Sequence, residues 1–208
     1  MVNNKFIIGI DEAGRGPLAG PVSVGLVLVP AHFDWKLIPG VGDSKQLSET
    51  KREAIFERAE ILQKEGKLQY VVEMVSAPKI DSEGISVCIK KSIAKGLKKL
   101  KSTRQDLVLE PSEVVVKLDG SLKAPAEYVQ QETIIKGDAK EKVIGLASIM
   151  AKVTRDNYMT KLSNKAAYQV YDFAQHKGYG TLVHRQMIAK HGLSTEHRTS
   201  YCKNIEML

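Results

Sequence analysis

The stretch that most restricts how this chain can fold is Gly9-Ile10-Asp11-Glu12-Ala13-Gly14-Arg15-Gly16-Pro17-Leu18-Ala19-Gly20-Pro21. Phe6-Ile7-Ile8 just before it is a short, branched apolar run that reads as a strand. Val22 to Val29 after it reads as a second strand. Between the two, Pro17 and Pro21 keep a helix from opening where the glycines end. A dinucleotide-binding loop needs that helix directly after its glycines, and the phosphate-loop ending Gly-Lys-Ser/Thr is missing too. A nucleotide-cofactor site is therefore not expected, and the chain opens on a hairpin of strands.

Asp11 and Glu12 are expected where the first strand ends. An acid pair after a strand is commonly no more than a solvated turn. Adjacent carboxylates repel, however, and a divalent cation held by oxygen ligands is a common way to offset them. Gly14 and Gly16 let the backbone come close to a ligand, and Arg15 between them is a natural partner for phosphate. Metal-binding acids beside a phosphate-approaching backbone point to chemistry on a nucleic acid.

Charge agrees with that direction. The net charge is +7, from 31 basic and 24 acidic residues, and a basic surplus favours a polyanionic partner through counterion release. With 208 residues, 43% of them apolar, and a mean hydropathy of -0.20, the chain fits a soluble globular protein of one or two domains. No run approaches the roughly 20 apolar residues that cross a bilayer, and no charged-then-apolar leader precedes the first strand. No membrane partner is expected, and the expected location is the cytoplasm. Cys88 and Cys202 lie far apart without metal-ligand spacing, so they are expected to be buried free thiols.

Further along, Ser48 is a plausible N-cap for a helix to about Gln63, with Ile55, Ala59 and Leu62 on one stripe. Leu68 to Val75 reads as a third strand completing a meander. A second helix is expected from about Asp81 to Leu100. Its Lys90, Lys91, Lys95, Lys98 and Lys99 fit a solvated face and a nucleic-acid contact equally well. Val114 to Leu118 is a strand that delivers Asp119-Gly120 at its end, repeating the arrangement at Ile10-Asp11. Carboxylates at the C-terminal ends of neighbouring parallel strands lie where open α/β sheets place their sites. Thr133-Ile134-Ile135 is short and leads to Lys136-Gly137-Asp138. Glu141 to Leu162 is a helix rich in small residues whose far end carries Arg155-Asp156, which reads as a surface ion pair. His176, His184, His191 and His197 show no metal-ligand spacing, so hydrogen bonding is their default role. Tyr179, set between two glycines, is exposed by its neighbours and placed to stack on a sugar or base.

Collected in order, these residues resemble the ribonuclease HII family, the type 2 ribonucleases H of bacteria. The family signature G-x-D-E-A-G-R-G-P-L-A-G-P-V stands at Gly9 to Val22, and D-S-K-x-L at Asp43 to Leu47. Leu118-Asp119-Gly120 matches V-D-G and Lys136-Gly137-Asp138 matches K-G-D. The helix Ala147 to Asp156, the segment His176 to Thr181, His191-Gly192 and His197-Arg198 complete the pattern over nearly the whole chain. Leu146 in place of an alanine and Tyr201 in place of a phenylalanine are the departures, and neither removes a candidate catalytic group.

The resemblance implies an α/β ribonuclease H-like fold, a five-stranded mixed sheet flanked by helices with helical C-terminal elements. It implies one catalytic domain over 1–208, in which 164–208 is a C-terminal helical segment contributing to substrate binding. The implied catalytic and metal-binding acids are Asp11, Glu12, Asp119 and Asp138, holding two Mg²⁺ or Mn²⁺ ions, with Asp156 left structural beside Arg155. Asp11 and Asp119 are expected to bridge the ions. Neighbouring Asp11 and Glu12 cannot both point one way from a regular strand, so a departure from strand geometry is expected there. Gly14, Arg15 and Gly16 would meet the ribose 2′-OH, Tyr179 the sugar on its 3′ side, and Lys45 the backbone phosphates. The implied activity is endonucleolytic cleavage of the RNA strand of RNA–DNA hybrids. It includes incision 5′ of a single ribonucleotide in duplex DNA, leaving 3′-OH and 5′-phosphate ends, as in ribonucleotide excision and primer removal. The implied partners are those nucleic acids, bound by a monomer; a replication-clamp contact is not readable from the sequence. A non-catalytic binding relative and another metal nuclease of similar fold are the competing readings.

Overall fold

The computed structural model describes residues 5–42, 46–102, 110–203 and 205. Its centre is β1 (Phe6–Ala13). β2 (Val22–Pro30) runs antiparallel to it, and β3 (Gln69–Val75) antiparallel to β2. On the other edge β4 (Val114–Asp119) lies parallel to β1, and β5 (Gln131–Ile134) parallel to β4. The sheet order is β3-β2-β1-β4-β5. The expected meander and the five-stranded mixed sheet are both present.

Alternation along β2 assigns the two faces. Val22, Val24, Leu26 and Leu28 share one core with Ile89, Ile93 and Leu97 of α3 (Ile85–Ser102). Val27 and Val29 face the other way, toward Ile55, Ala59 and Leu62 of α1 (Glu49–Lys64) and toward Val143, Ala147 and Met150 of α5 (Lys142–Ser163). The Ser48 hydroxyl accepts from the Lys51 amide and starts α1, as its position implies. The single helix expected from Asp81 to Leu100 is instead two, α2 (Ala77–Glu83) and α3. Gly84 divides them. Its φ of 83° suits glycine, and its amide closes α2 on the Ile80 carbonyl at 2.8 Å.

Glycines of β1 and β2 let α5 come close to the sheet. A Cβ at Gly9 of β1 would lie 2.2 Å from the Val143 carbonyl oxygen, and one at Gly25 of β2 would lie 2.2 Å from that of Ala147. The helix backbone thus rests directly on the sheet, and the Ser23 hydroxyl donates to the Ala151 carbonyl at 2.8 Å.

Two expectations about β1 are overturned. Asp11 and Glu12 are not at the strand's end, because pairing with β2 continues through Ala13↔Ser23. No departure from strand pairing occurs at the acid pair either. What stops early is the pairing with β4, whose last match is Ile10↔Leu118. Asp11 and Glu12 therefore leave opposite faces of an intact strand at an open corner of the sheet.

The chain ends with α6 (Phe173–His176) and α7 (Leu182–His191), preceded by the short α4 (Gly137–Lys140) before α5. Tyr171 and Phe173 pack with Met159 and Leu162 of α5 and with Ala19. Cys88 and Cys202 are buried free thiols, as expected. Among the described residues no helix is long and apolar enough to cross a membrane. Gly25→Ala tests the contact between α5 and the sheet. Backbone, not a flexible side chain, meets the added methyl, so we expect at least about 2 kcal/mol of lost stability in urea denaturation.

Candidate active site

The open corner beside β1 is the wall of a cleft of about 590 Å³. Asp11, Glu12 and Asp119 border it, with Gly14, Arg15, Gly16 and Tyr179 around them. Asp11 and Asp119 sit side by side because β1 and β4 are parallel and in register up to Ile10↔Leu118. Of the sequence candidates, Asp138 is placed differently. It is buried on α4 and does not border the cleft, although its neighbour Gly137 donates its amide to the Asp119 carboxylate at 2.6 Å. Lys45 lies outside the described residues.

The acids are held in an unfavourable state. Burial first, then the charges of Glu12 and Asp119, push Asp11 up to about 8, against the Ser148 hydroxyl of α5 and the Glu12 amide, which favour its ionised form. Glu12 is also raised by burial, with Arg15 opposing the shift through a 3.0 Å ion pair. A buried carboxylate with raised proton affinity beside two further acids is a place for positive charge. Its all-oxygen donor set suits a hard divalent cation such as Mg²⁺ or Mn²⁺. Among the described residues, no three His, Cys, Asp or Glu side chains already converge on a single metal position.

The loop after β1 keeps its shape through two arginines that the sequence reading undervalued. Arg198 is fully buried and donates to the carbonyls of Gly14 at 2.7 Å, Arg15 at 3.0 Å and Gly20 at 2.9 and 3.0 Å. Arg155, also fully buried, donates to Pro21 at 2.8 Å and Ala19 at 3.0 Å. The expected surface pair between Arg155 and Asp156 is thus absent. Asp156 pairs with Lys152 at 2.7 Å instead, because one helical turn brings that lysine onto its face. A loop with two prolines and several glycines forms little regular structure, so its carbonyls need outside donors. Only arginine offers five N–H groups from one side chain, and that was the signal to follow.

The glycines of the turn do different work. Gly14 has φ 86°, and a Cβ there would lie 2.1 Å from Arg155 Nε. The fold itself demands a glycine. A Cβ at Gly16 would meet nothing within 4 Å, so what its missing side chain leaves open is space on the solvent side of the cleft.

Tyr179 projects into the cleft 43% exposed, with Lys152 Nζ and Arg155 Cζ 5.9 and 5.8 Å from its ring centre. Behind it, three histidines form an ordered set of hydrogen bonds. Ser194 donates its amide to His197 Nδ1 at 2.9 Å. This makes His197 Nε2 the donor to His184 Nε2 at 3.0 Å, and His184 Nδ1 the donor to the Tyr179 carbonyl at 2.9 Å. His176 accepts from the Gly178 amide at 3.2 Å. The hydrogen-bonding role expected of these three histidines is what they have.

A five-stranded mixed sheet with acids on its adjacent parallel strands, lining a cleft at one corner, defines an enzyme of the ribonuclease H-like fold class. The sequence model of ribonuclease HII matches residues 8–204. The chain is 43% identical to the ribonuclease HII of Endomicrobium trichonymphae over 94% of its own length and 84% of that protein. It is 42% identical to that of Caldicellulosiruptor bescii over 97% and 88%. The chain belongs to the ribonuclease HII family, and it is an endoribonuclease, a hydrolase. Among solved structures it resembles the crystal structure of ribonuclease H2 from Pyrococcus horikoshii, with TM-score 0.72, 25% identity and 97% of both chains covered. It also resembles ribonuclease HII in the PCNA complex from Archaeoglobus fulgidus, with TM-score 0.71, 26% identity and 93% and 94% covered. The fold alone is shared with Bst-RNase HIII in complex with Mn²⁺, at TM-score 0.75 and 17% identity, over 100% of this chain and 71% of that one. The family and fold implied by the sequence are borne out.

The histidine set gives a pH prediction. Burial lowers both His184 and His197 to about 4, so as pH falls below about 6.5 the unfolded chain takes up protons that the folded chain refuses. Stability is then lost at about 1.4 kcal/mol per pH unit for each proton, down to about pH 4. Asp11, raised to about 8, acts with the opposite sign. The histidine share is therefore read as a difference: His184→Gln/His197→Gln is expected to show a flatter acid limb than wild type in urea midpoints between pH 7.5 and 4.5.

Proposed function

We propose that this protein cuts the RNA strand of RNA–DNA hybrids and also incises duplex DNA 5′ of a single embedded ribonucleotide. The products are a 3′-OH and a 5′-phosphate. The observation that carries this reading is the meeting of Asp11, Glu12 and Asp119 with Arg15, the open Gly16 and the exposed face of Tyr179 in one cleft. Acids that favour cations thus stand beside groups suited to a phosphate and a sugar.

Asp11, Glu12, Asp119 and Asp138 would hold two Mg²⁺ or Mn²⁺ ions; Asp138 joins the set through Gly137, which already engages Asp119. The chemistry such ions supply when bound is activation of the attacking water and stabilisation of the leaving 3′ oxygen. The remaining work falls to the chain itself. Ser148 orients Asp11. Arg15 restrains Glu12 and offers its remaining N–H groups to phosphate. At Gly16 the backbone can approach the 2′-OH, the one group that separates a ribonucleotide from its deoxy counterpart. Tyr179, backed by Lys152 and Arg155, presents its ring to the sugar on the 3′ side, where a deoxyribose has no hydroxyl to clash. The chain works as one catalytic unit in which the segment 164–208 contributes Tyr179 and, through Arg198, the shape of the Gly-Arg-Gly turn.

The test is cleavage of a labelled duplex with one ribonucleotide, and of a long hybrid, in Mg²⁺ or Mn²⁺. Asp119→Asn is expected to lower the rate at least about a hundredfold on both substrates with the fold intact by circular dichroism. Tyr179→Ala is expected to lose roughly tenfold or more on the single ribonucleotide, as stacking losses of ~1–3 kcal/mol imply, and less on the hybrid. Cutting of all-DNA duplex by wild type, or cutting of neither substrate, would overturn the reading.

A further inference from the structure

Arg15 borders a second concavity as well as the cleft. This groove, of about 780 Å³, runs between the N-terminal half of α3 and the connection from β4 to β5. Ile89, Ile93, Leu122 and Pro125 form an apolar floor, while Lys90 and Lys123 stand on its rim. No carboxylate is among the described residues that line it.

Three of the six lysines of α3 are paired within the protein. Lys91 pairs with Glu83 at 3.0 Å, and Lys95 and Lys99 pair with Glu73 at 2.8 and 2.5 Å. Those charges are neutralised within the protein. Lys90 and Lys123, by contrast, are exposed and make no ion pair with any described residue. The two groove lysines keep their full charge for a partner.

The wall opposite α3 is also built rather than loose. Gln131 of β5 accepts from the Ala124 amide at 2.9 Å and donates to the Tyr128 carbonyl at 3.1 Å. Thr133 donates to the Leu122 carbonyl at 3.0 Å, and Gly120 donates to the Ile134 carbonyl at 3.0 Å. The segment following Asp119 is thereby fixed to β5, so this wall of the groove keeps its place relative to Asp119.

We propose that this groove is a flanking-strand subsite, taking the sugar–phosphate backbone of the substrate duplex on the side of Arg15 away from Tyr179. The apolar floor meets sugar faces, Lys90 and Lys123 neutralise phosphates, and Arg15 links the subsite to the scissile position. This rests on the proposed function for its ligand, since the duplex that enters the cleft is the duplex that continues into the groove. It also divides the α3 lysines between the two uses open to them: Lys95 and Lys99 tie α3 to β3 through Glu73, Lys91 ties it to α2 through Glu83, and Lys90 faces the nucleic acid.

The experiment measures binding of a labelled duplex with one ribonucleotide, in EDTA, so that no cleavage occurs, and in parallel cleavage with Mg²⁺. Lys90→Ala/Lys123→Ala is compared with Lys98→Ala/Lys101→Ala, which removes the same charge from α3 away from the groove. The groove variant is expected to bind about fivefold more weakly per lysine removed near physiological salt, and to lose roughly two from the slope of log K against log salt. Its kcat should stay unchanged while KM rises. Shortening the duplex on one side of the ribonucleotide should erase the difference from wild type, and shortening the other side should not. Equal losses in the two double variants, or a groove-variant loss that survives truncation on either side, would overturn the subsite. A wild-type protein that binds the duplex with this pattern but never cuts would sink the proposed activity and leave the subsite standing. Failure of wild type to bind duplex would overturn both.

Discussion

The backbone of α5 lying against β1 and β2 is the contact from which the rest of the site is placed. It is possible only because Gly9 and Gly25 have no side chains where the carbonyls of Val143 and Ala147 arrive. Close approach fixes the rotation of the helix about its axis as well as its distance. Ser148 then falls on Asp11, Lys152 and Arg155 fall beneath Tyr179, and Arg155 reaches the carbonyls of Ala19 and Pro21. A bulkier seam would move each of these groups together, so a packing detail remote from the cleft governs its chemistry.

The cleft works against the stability that this packing provides. Asp11 is buried beside Glu12 and Asp119 and is held at about 8, far above an ordinary aspartate. Burial of an under-compensated carboxylate costs free energy that the surrounding core must offset. The same imbalance makes the corner selective for positive charge, and it vanishes if Asp11 is made apolar. Local instability and affinity for a cation are two readings of one electrostatic fact.

Much of this was legible in the sequence for physical reasons. The apolar run Val22 to Val29 marked β2, Asp119 marked the end of β4, and Ser48 marked the start of α1. Other features were not, because they depend on partners distant along the chain. Whether Asp11 and Glu12 end a strand depends on how far β2 pairs beyond β4, which no local window contains. The break at Gly84 yielded to helical periodicity on both sides, although a lone glycine in a helix is also a candidate stop. Arg155 next to Asp156 looked like a neutral pair, since adjacency in sequence says nothing about residues that point to different sides of a helix. The position of Asp138 behind Gly137, rather than on the cleft itself, depends on a left-handed residue at Lys136, with φ 55°, that no motif announces.

The two buried arginines explain why the distant end of the chain belongs to the site. Arg198 comes from beyond α7, yet its guanidinium serves the carbonyls of Gly14, Arg15 and Gly20, while the isolated bridge Ala19↔His197 ties the same two segments. His197, next to it, leads through His184 to the carbonyl of Tyr179. One short segment therefore fixes both the Gly-Arg-Gly turn and the aromatic ring across from it. Hydrogen bonds from a charged group contribute about 1.5–3 kcal/mol each when buried acceptors are matched, and the guanidinium plane leaves little freedom for the turn to shift relative to the ring. The contacts proposed for a ribose, one at the turn and one at the ring, depend on that rigidity between them.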